Sequence, residues 1–255
     1  MGYRVFLAGA SGVVGRPLLR LLIRAGHQVT GMSRSSQSAE VLRALGADHA
    51  AVDVFDAQAL ARAVAAARPD VIIHQLTDLP ARLDPSLMGE ALARNARIRE
   101  EGTRNLVRAA LAAGVGRMIA QSIAWAYAPG TPPYTEGDPL DAAQGSKAVT
   151  LRGIRALEEL VLNSPPLEGV VLRYGSFYGP DTGRDGPEGL SPLHVEAAAY
   201  AALCVLARWH PGIFNIAEPQ GEVATRKAVT MLGWRADFRL DPAEICSPKQ
   251  PPKLL

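Results

Sequence analysis

Short continuous apolar runs alternate along this chain with segments whose apolar residues recur every three or four positions. The first run is Val5-Phe6-Leu7-Ala8, which stops at Gly9 as a strand buried on both faces does. Residues 17–25 follow, with Leu18, Leu19, Leu21, Leu22 and Ile23 forming a helical stripe, and Gly26 is placed to end that helix in the left-handed conformation. The same alternation predicts strands over 28–32, 50–54, 71–75, 117–121, 169–173 and 213–216. It predicts helices over 39–45, 57–67, about 86–113, about 149–162, 195–207 and 224–232. Two stretches rich in Gly and Pro, 128–145 and 179–192, read as loops, and the tail from Asp241 reads as irregular. Repeated strand–helix alternation implies an α/β fold, a doubly wound parallel sheet with helices on both faces.

Composition narrows the class. The 255 residues are 48% hydrophobic and 20% charged, which suits a single α/β domain over 1–255. Its substrate-side segments would be about 128–145, 179–194 and 217–255. Basic residues number 27 against 25 acidic, with no basic block, so nucleic acid is not an expected partner. Cys204 and Cys246 have no metal-type spacing; no metal site is expected, and a reducing cytoplasm fits the cysteine usage. The N-terminus runs straight into a strand without the regions of a signal peptide, and no apolar run has the length to span a bilayer. The expectation is a cytoplasmic protein without a membrane partner.

The candidate chemistry starts at Gly9-Ala10-Ser11-Gly12-Val13-Val14-Gly15, a glycine turn with a strand before it and a helix after it. Gly9 permits a tight turn, Gly12 lets the backbone approach a pyrophosphate, and Gly15 lets the helix pack closely on the strand. First-turn amides and the helix dipole then favour phosphate charge. Ser11, Val13 and Val14 belong to the same cradle.

This G-x-x-G-x-x-G spacing resembles the short-chain dehydrogenase/reductase superfamily in its extended, NAD-dependent epimerase/dehydratase branch. The resemblance continues through Asp53-Val54, Pro69-Asp70-Val71-Ile72-Ile73-His74, Glu101-Gly102-Thr103-Arg104-Asn105-Leu106, the segment from Leu172-Arg173-Tyr174-Gly175 to Tyr178-Gly179-Pro180, and His194-Val195-Glu196. It implies a Rossmann-type sheet with a small C-terminal substrate-side region, and Asp53-Val54 at the adenine. It also implies a homodimer formed by the helices over 86–113 and 149–162. Residues at the carboxyl ends of later strands (Gln75, Leu76, Thr77, Gln121, Tyr174 and Gly175) complete the expected cofactor set. Strand two ends in Met32-Ser33-Arg34-Ser35, without the acidic residue that takes ribose hydroxyls in NAD-preferring members. A guanidinium flanked by Ser33 and Ser35 suits a 2′-phosphate, so NADP(H) is the preferred cofactor and NAD(H) the alternative.

Family members commonly use a Tyr-x-x-x-Lys pair with a Ser or Thr. The tyrosine moves a proton to or from the substrate oxygen as hydride moves. Here each of the six tyrosines lacks a lysine four positions on. One alignment puts Ala143 at the tyrosine position; another, through Ala156-Leu157-Glu158-Glu159-Leu160, puts Thr150 and Ile154 at the pair. Ser122 lies one residue from the usual hydroxyl position, which Ile123 occupies. The candidate catalytic groups are therefore Ser122, Tyr127 and Tyr178, and the candidate pocket comprises Trp125, Tyr127, Tyr178 and His194. Arg99 stands where the family usually has asparagine, and Asn95, one turn earlier, could contact the backbone of strand four.

Only residues 217–231 separate the last strand from Leu232-Gly233-Trp234, so a compact small-molecule substrate is expected, not a nucleotide-sugar. Three readings stay open: NADPH-dependent reduction of a small carbonyl-type metabolite, a non-catalytic NADP(H)-binding sensor, and a sugar epimerase or dehydratase.

Overall fold

The computed structural model describes residues 2–80, 85–142 and 144–241. Seven parallel strands form the main sheet: β1 (Arg4–Ala8), β2 (Gln28–Ser33), β3 (Asp48–Ala51), β4 (Val71–His74), β5 (Arg117–Ile123), β6 (Glu168–Tyr174) and β9 (Gly212–Ile216), in the spatial order β3-β2-β1-β4-β5-β6-β9. A second, two-stranded parallel sheet pairs β7 (Ser176–Tyr178) with β8 (Pro192–His194). The helices are α1 (Gly15–Arg24), α2 (Ser36–Ala44), α3 (Ala57–Ala67), α4 (Met88–Arg97), α5 (Thr103–Ala112), α6 (Ser146–Leu162) and α7 (Val195–Ala207). Among the described residues no helix is long and apolar enough to cross a membrane.

The strands read as continuous apolar runs because both sheet faces are covered. Alternate residues serve opposite cores. Val5, Leu7, Ile73, Ile119, Leu172 and Tyr174 pack with α1 and α7 on one face. Phe6, Ala8, Ile72, Met118, Ala120 and Val171 pack with α3, α5 and α6 on the other. Helix α7 is alanine-rich and buried almost all round, and the Trp234 indole Nε1 closes its first turn by donating to the Ala197 carbonyl at 2.8 Å.

Several boundaries differ from the pattern's expectation, each for a local reason. Strand three spans 48–51, not 50–54. Asp53 ends the extended run by accepting the Phe55 amide at 3.0 Å, which leaves Asp53 and Val54 in the turn that follows. The helix expected over 86–113 is continuous but not uniformly α: Ile98–Gly102 is a π-helical turn between α4 and α5. The extra residue per turn seats Gly102 against Val54, whose methyls lie 3.2 Å from an ideal Cβ at that position. Asn105 fixes the same contact by donating from Nδ2 to the Val54 carbonyl at 2.9 Å. The helix expected over 149–162 starts at Ser146. The helix expected over 224–232 contracts to a turn ending in the π-helical segment Ala228–Leu232. The loop expected over 179–192 runs into β8, and the irregular tail expected beyond Asp241 lies outside the described residues.

Candidate active site

Strand order reverses between β1 and β4, which opens a crevice at their carboxyl ends. The glycine turn floors it. Gly9 adopts φ +90°, and an ideal Cβ there would lie 2.7 Å from the Gln75 carbonyl, so only glycine lets the turn sit against the end of β4. The Gly12 amide donates to the Gly9 carbonyl at 3.0 Å, and α1 begins at Gly15, with the Arg16 amide donating back to the Gly12 carbonyl at 3.0 Å. A cleft of about 150 Å³ lies above the turn. Gly9, Ser11, Gly12, Ser33, Arg34, Asp53, Val54, Gln75, Leu76 and Thr77, all read from the sequence as cofactor contacts, line it together, along with Met32, Phe55 and Ile98. Val14 and Gly15 are buried in the turn, and Val13 packs against the core beneath it. Ser35 caps the outer end: Ser33 Oγ lies 3.2 Å from its carbonyl and 3.0 Å from His49 Nε2. Arg34 is exposed beside them. Asn95 meets the backbone just past β4, its Oδ1 accepting the Asp78 amide at 3.1 Å.

At the other end of the crevice the sheet's two faces carry different polar groups. On the α6 face, Ser122 Oγ donates to Glu158 Oε1 at 2.7 Å. Arg173 clamps the same carboxylate, Nε to Oε1 at 2.9 Å and Nη2 to Oε2 at 2.6 Å, with both side chains under 10% exposed (4% and 7%). The Glu158 contact overrides burial and holds the Arg173 guanidinium above its ordinary pKa. Arg173 Nη1 also donates to the Tyr127 hydroxyl at 2.9 Å, which donates to Asn215 Oδ1 at 2.7 Å. Arg99 is buried nearby. Desolvation lowers its guanidinium to about 10, and the Glu158 charge opposes that shift. Burial and the Arg99 charge together press the His74 imidazole down to about 3, so it stays neutral and shares a 3.1 Å contact with Thr103 Oγ1. On the α1/α7 face, Gln75 and Tyr174 are buried together (5% and 1% exposed), and Gln121 is half-buried. Gly175 runs so close to Ser191 that an ideal Cβ would lie 2.1 Å from its carbonyl oxygen.

The sequence's candidate catalytic groups thus fall into two clusters. Ser122 and Tyr127 share the Glu158–Arg173 network. Tyr178 belongs elsewhere: its hydroxyl donates to Glu218 Oε1 at 2.5 Å and accepts from Arg239 Nη2 at 2.9 Å. His194 packs edge-on against Tyr178 with ring centroids 5.1 Å apart, and its Nδ1 accepts the Glu196 amide at 3.3 Å as the cap of α7. Burial, then the Arg239 charge, lowers His194 to about 4. Trp125 is 47% exposed at the rim. On α6, Thr150 and Ile154 are buried, and Lys147 is exposed with Asp141 as its ion partner at 3.3 Å. Ala143 lies outside the described residues.

Sequence reasoning missed Glu158, Arg173, Asn215, Glu218 and Arg239 as site residues. Glu158 carried a signal: it sits in helical register with Leu151, Ile154 and Val161, a charge inside an apolar stripe. Arg173 likewise interrupts the apolar run of β6.

Comparison with known proteins agrees with this geometry. Residues 5–215 match the model of the NAD dependent epimerase/dehydratase family. A 3-diazoavenalumate denitrifying reductase from a Streptomyces species is 43% identical over 241 residues, covering 85% of this chain and 76% of that protein. A UDP-N-acetyl-alpha-D-glucosaminuronate decarboxylase from Bacillus cytotoxicus is 28% identical over 207 residues, 78% of this chain and 62% of that protein. Among solved structures, the Bordetella bronchiseptica enzyme WbmG in complex with NAD and UDP superposes with a TM-score of 0.72 at 19% identity, covering 94% of this chain and 92% of that one. The UDP-glucose 4-epimerase of Thermotoga maritima with UDP-glucose superposes with a TM-score of 0.75 at 17% identity, covering 92% and 94%. This chain belongs to the NAD-dependent epimerase/dehydratase family.

Proposed function

We propose that this protein is an NADPH-dependent reductase whose substrate accepts hydride without needing a proton at the same site, an aromatic diazonium being the substrate class that fits best. The cleft suits a dinucleotide. Its floor is the glycine turn, where Gly12 is exposed without a side chain, and it is lined by Gln75, whose buried carboxamide atoms have no hydrogen-bond partner among the described residues. Bound there, the nicotinamide would supply hydride.

The observation that carries the substrate reading is the buried face of α6. Aligned through Ala156-Leu157-Glu158-Glu159-Leu160, the buried Thr150 and Ile154 take the positions where a carbonyl reductase of this family would present its phenol and ammonium; in the other alignment Ala143 takes the phenol position, and neither supplies a phenol. Reducing a carbonyl creates an alkoxide that must be protonated, which is the work of that missing pair. Ser122 does not replace it, because its hydroxyl hydrogen is engaged in the bond it donates to Glu158. Reducing an aryl diazonium has no such demand: the C–N bond breaks, its electron pair leaves with N₂, and hydride forms the new C–H bond. The name of the 43% identical relative joins a diazo substrate to a denitrifying reductase, which supports the same chemistry. The chain's own contribution would be to hold the reacting carbon near the cleft and exclude water, with Tyr178, His194 and Trp125 at the substrate side.

The test is turnover of an aryl diazonium panel with NADPH carrying deuterium at C4. Expected are NADPH oxidation above the protein-free rate, matching N₂ release, and deuterium at the carbon that lost nitrogen. Turnover of a carbonyl panel with no diazonium turnover would overturn the reading.

Cofactor choice is tested separately. Arg34 is exposed at the end of β2 and, among the described residues, has no ion-pair partner, leaving its guanidinium available to a 2′-phosphate. Arg34→Asp should weaken NADPH binding by about 10–100-fold, the worth of a charge-assisted contact, and leave NADH nearly unchanged. An equal loss for both cofactors would exclude the phosphate role.

A further inference from the structure

Three buried polar atoms at the crevice have no partner among the described residues: Gln75 Oε1, Gln75 Nε2 and the Tyr174 hydroxyl. They are neighbours: the Gln75 carboxamide acts on the Tyr174 phenol as a hydrogen-bonding partner would and opposes the effect of burial, though no contact among the three atoms has full hydrogen-bond geometry. Both side chains are more than nine-tenths buried (Gln75 5% and Tyr174 1% exposed), and Gln75 lines the cleft. Burial raises the Tyr174 phenol well above its ordinary range, so it stays protonated and able to donate.

Their position follows from the sheet. Gln75 is two residues beyond Ile73, on the α1/α7 face that also holds Tyr174. It is the face opposite Ser122, Glu158 and Arg173. A purely structural role would favour an apolar pair here, because each buried orphan carries a desolvation penalty that nothing offsets.

We propose that Gln75 and Tyr174 dock the carboxamide of a bound nicotinamide, and so set the face that its ring turns toward the substrate. A primary amide presents an acceptor and a donor side by side, and Gln75 presents the complementary pair. Phosphate oxygens only accept, and would leave Gln75 Oε1 unsatisfied. Tyr174 supplies a further donor to the amide carbonyl. The inference rests on the reading of the cleft as a nicotinamide dinucleotide site, and the test separates the two.

Affinities of NADP⁺ and of 2′-phospho-ADP-ribose, which keeps both riboses and all phosphates but lacks the nicotinamide, would be measured by fluorescence titration of wild type, Gln75→Leu and Tyr174→Phe. Each variant should bind NADP⁺ about 10-fold more weakly, the worth of a buried hydrogen bond, with 2′-phospho-ADP-ribose unchanged. Thermal unfolding without ligand should show both variants at least as stable as wild type, because each removes orphaned polar atoms. Equal weakening toward the two ligands would place Gln75 at ribose or phosphate and overturn the proposal. So would unchanged NADP⁺ affinity. A wild-type chain that binds neither ligand would overturn the dinucleotide reading itself.

Discussion

Glu158→Gln is expected to destabilise the folded protein by about 3–5 kcal/mol, the usual cost of removing one partner from a buried ion pair. The substitution barely changes shape, so the loss would come from charge. Arg173 is held by two contacts of 2.9 and 2.6 Å to that carboxylate and is almost wholly out of water. Without the negative charge, its guanidinium would stay buried among neutral acceptors only: one amide oxygen, the Tyr127 hydroxyl and the Glu136 carbonyl. Arg99 makes the case more severe. Among the described residues it has no hydrogen-bond or ion-pair partner, and the Glu158 charge is what favours its charged form. In the variant, two buried guanidinium groups would lose their shared anion, and the Glu136 carboxylate beside Tyr127 is already engaged by the Asn215 amide. Ser122 would lose a charged acceptor as well. Urea unfolding gives the number directly. A control isolates the Arg173 share: the double variant Glu158→Leu with Arg173→Met should be more stable than Glu158→Gln, because a buried pair replaced by apolar groups of similar volume is often neutral, while Arg99 and Ser122 still lack the carboxylate. A loss below about 1 kcal/mol for Glu158→Gln would show that the carboxylate does not carry this network.

That network marks the limit of what the chain's pattern makes legible. The alternation of apolar runs and helical stripes locates the strands of the main sheet to within a few residues, because burial on both faces leaves its mark in every strand. The glycine turn is legible for a similar reason: two close backbone approaches, at Gly9 and Gly15, each demand the same residue type, with the exposed Gly12 between them. Long-range polar contacts leave no comparable period. Tyr127 meets Asn215 across 88 positions, and Tyr178 meets Glu218 across 40. Nothing in the spacing of those residues announces the partner. The π turn at Ile98–Gly102 is hidden for a different reason, since one inserted residue scarcely disturbs a long apolar period. Yet it bears directly on the site, because Ile98 lines the cleft while Arg99 is buried. The β7–β8 pair is hidden because its strands have three residues each, too few to show a period. Glu158 was within reach of the pattern: a carboxylate in register with Leu151, Ile154 and Val161 has to find a cation.

Substitution of alanine at Gly12 and at Gly15 should separate two functions of the glycine turn, stability and ligand access. At Gly15 an ideal Cβ would lie 2.0 Å from the Gly9 carbonyl oxygen and 2.9 Å from the Ala10 carbonyl carbon. Both obstacles are backbone atoms that cannot rotate away, so the start of α1 would have to move off the turn at Gly9 and Ala10. Alanine favours helix over glycine by about 1 kcal/mol, which opposes the loss. Overpacking costs of about 1–3 kcal/mol are typical where side chains can adjust, and a rigid carbonyl puts Gly15→Ala at or beyond the upper end. A net destabilisation of about 2 kcal/mol or more is therefore expected, with dinucleotide binding lost along with the turn. Gly12 differs. It is exposed, and its ideal Cβ meets only the Gly9 carbonyl, at 3.3 Å, a contact that a shift of a few tenths of an ångström relieves. Gly12→Ala should leave unfolding within about 1 kcal/mol of wild type. The added methyl still occupies the approach that a pyrophosphate takes to the start of α1, so dinucleotide affinity should fall by about 100-fold or more. Paired unfolding and titration measurements on the two variants test this. If Gly12→Ala kept wild-type affinity, the pyrophosphate would not cross the turn where its geometry leaves room for it.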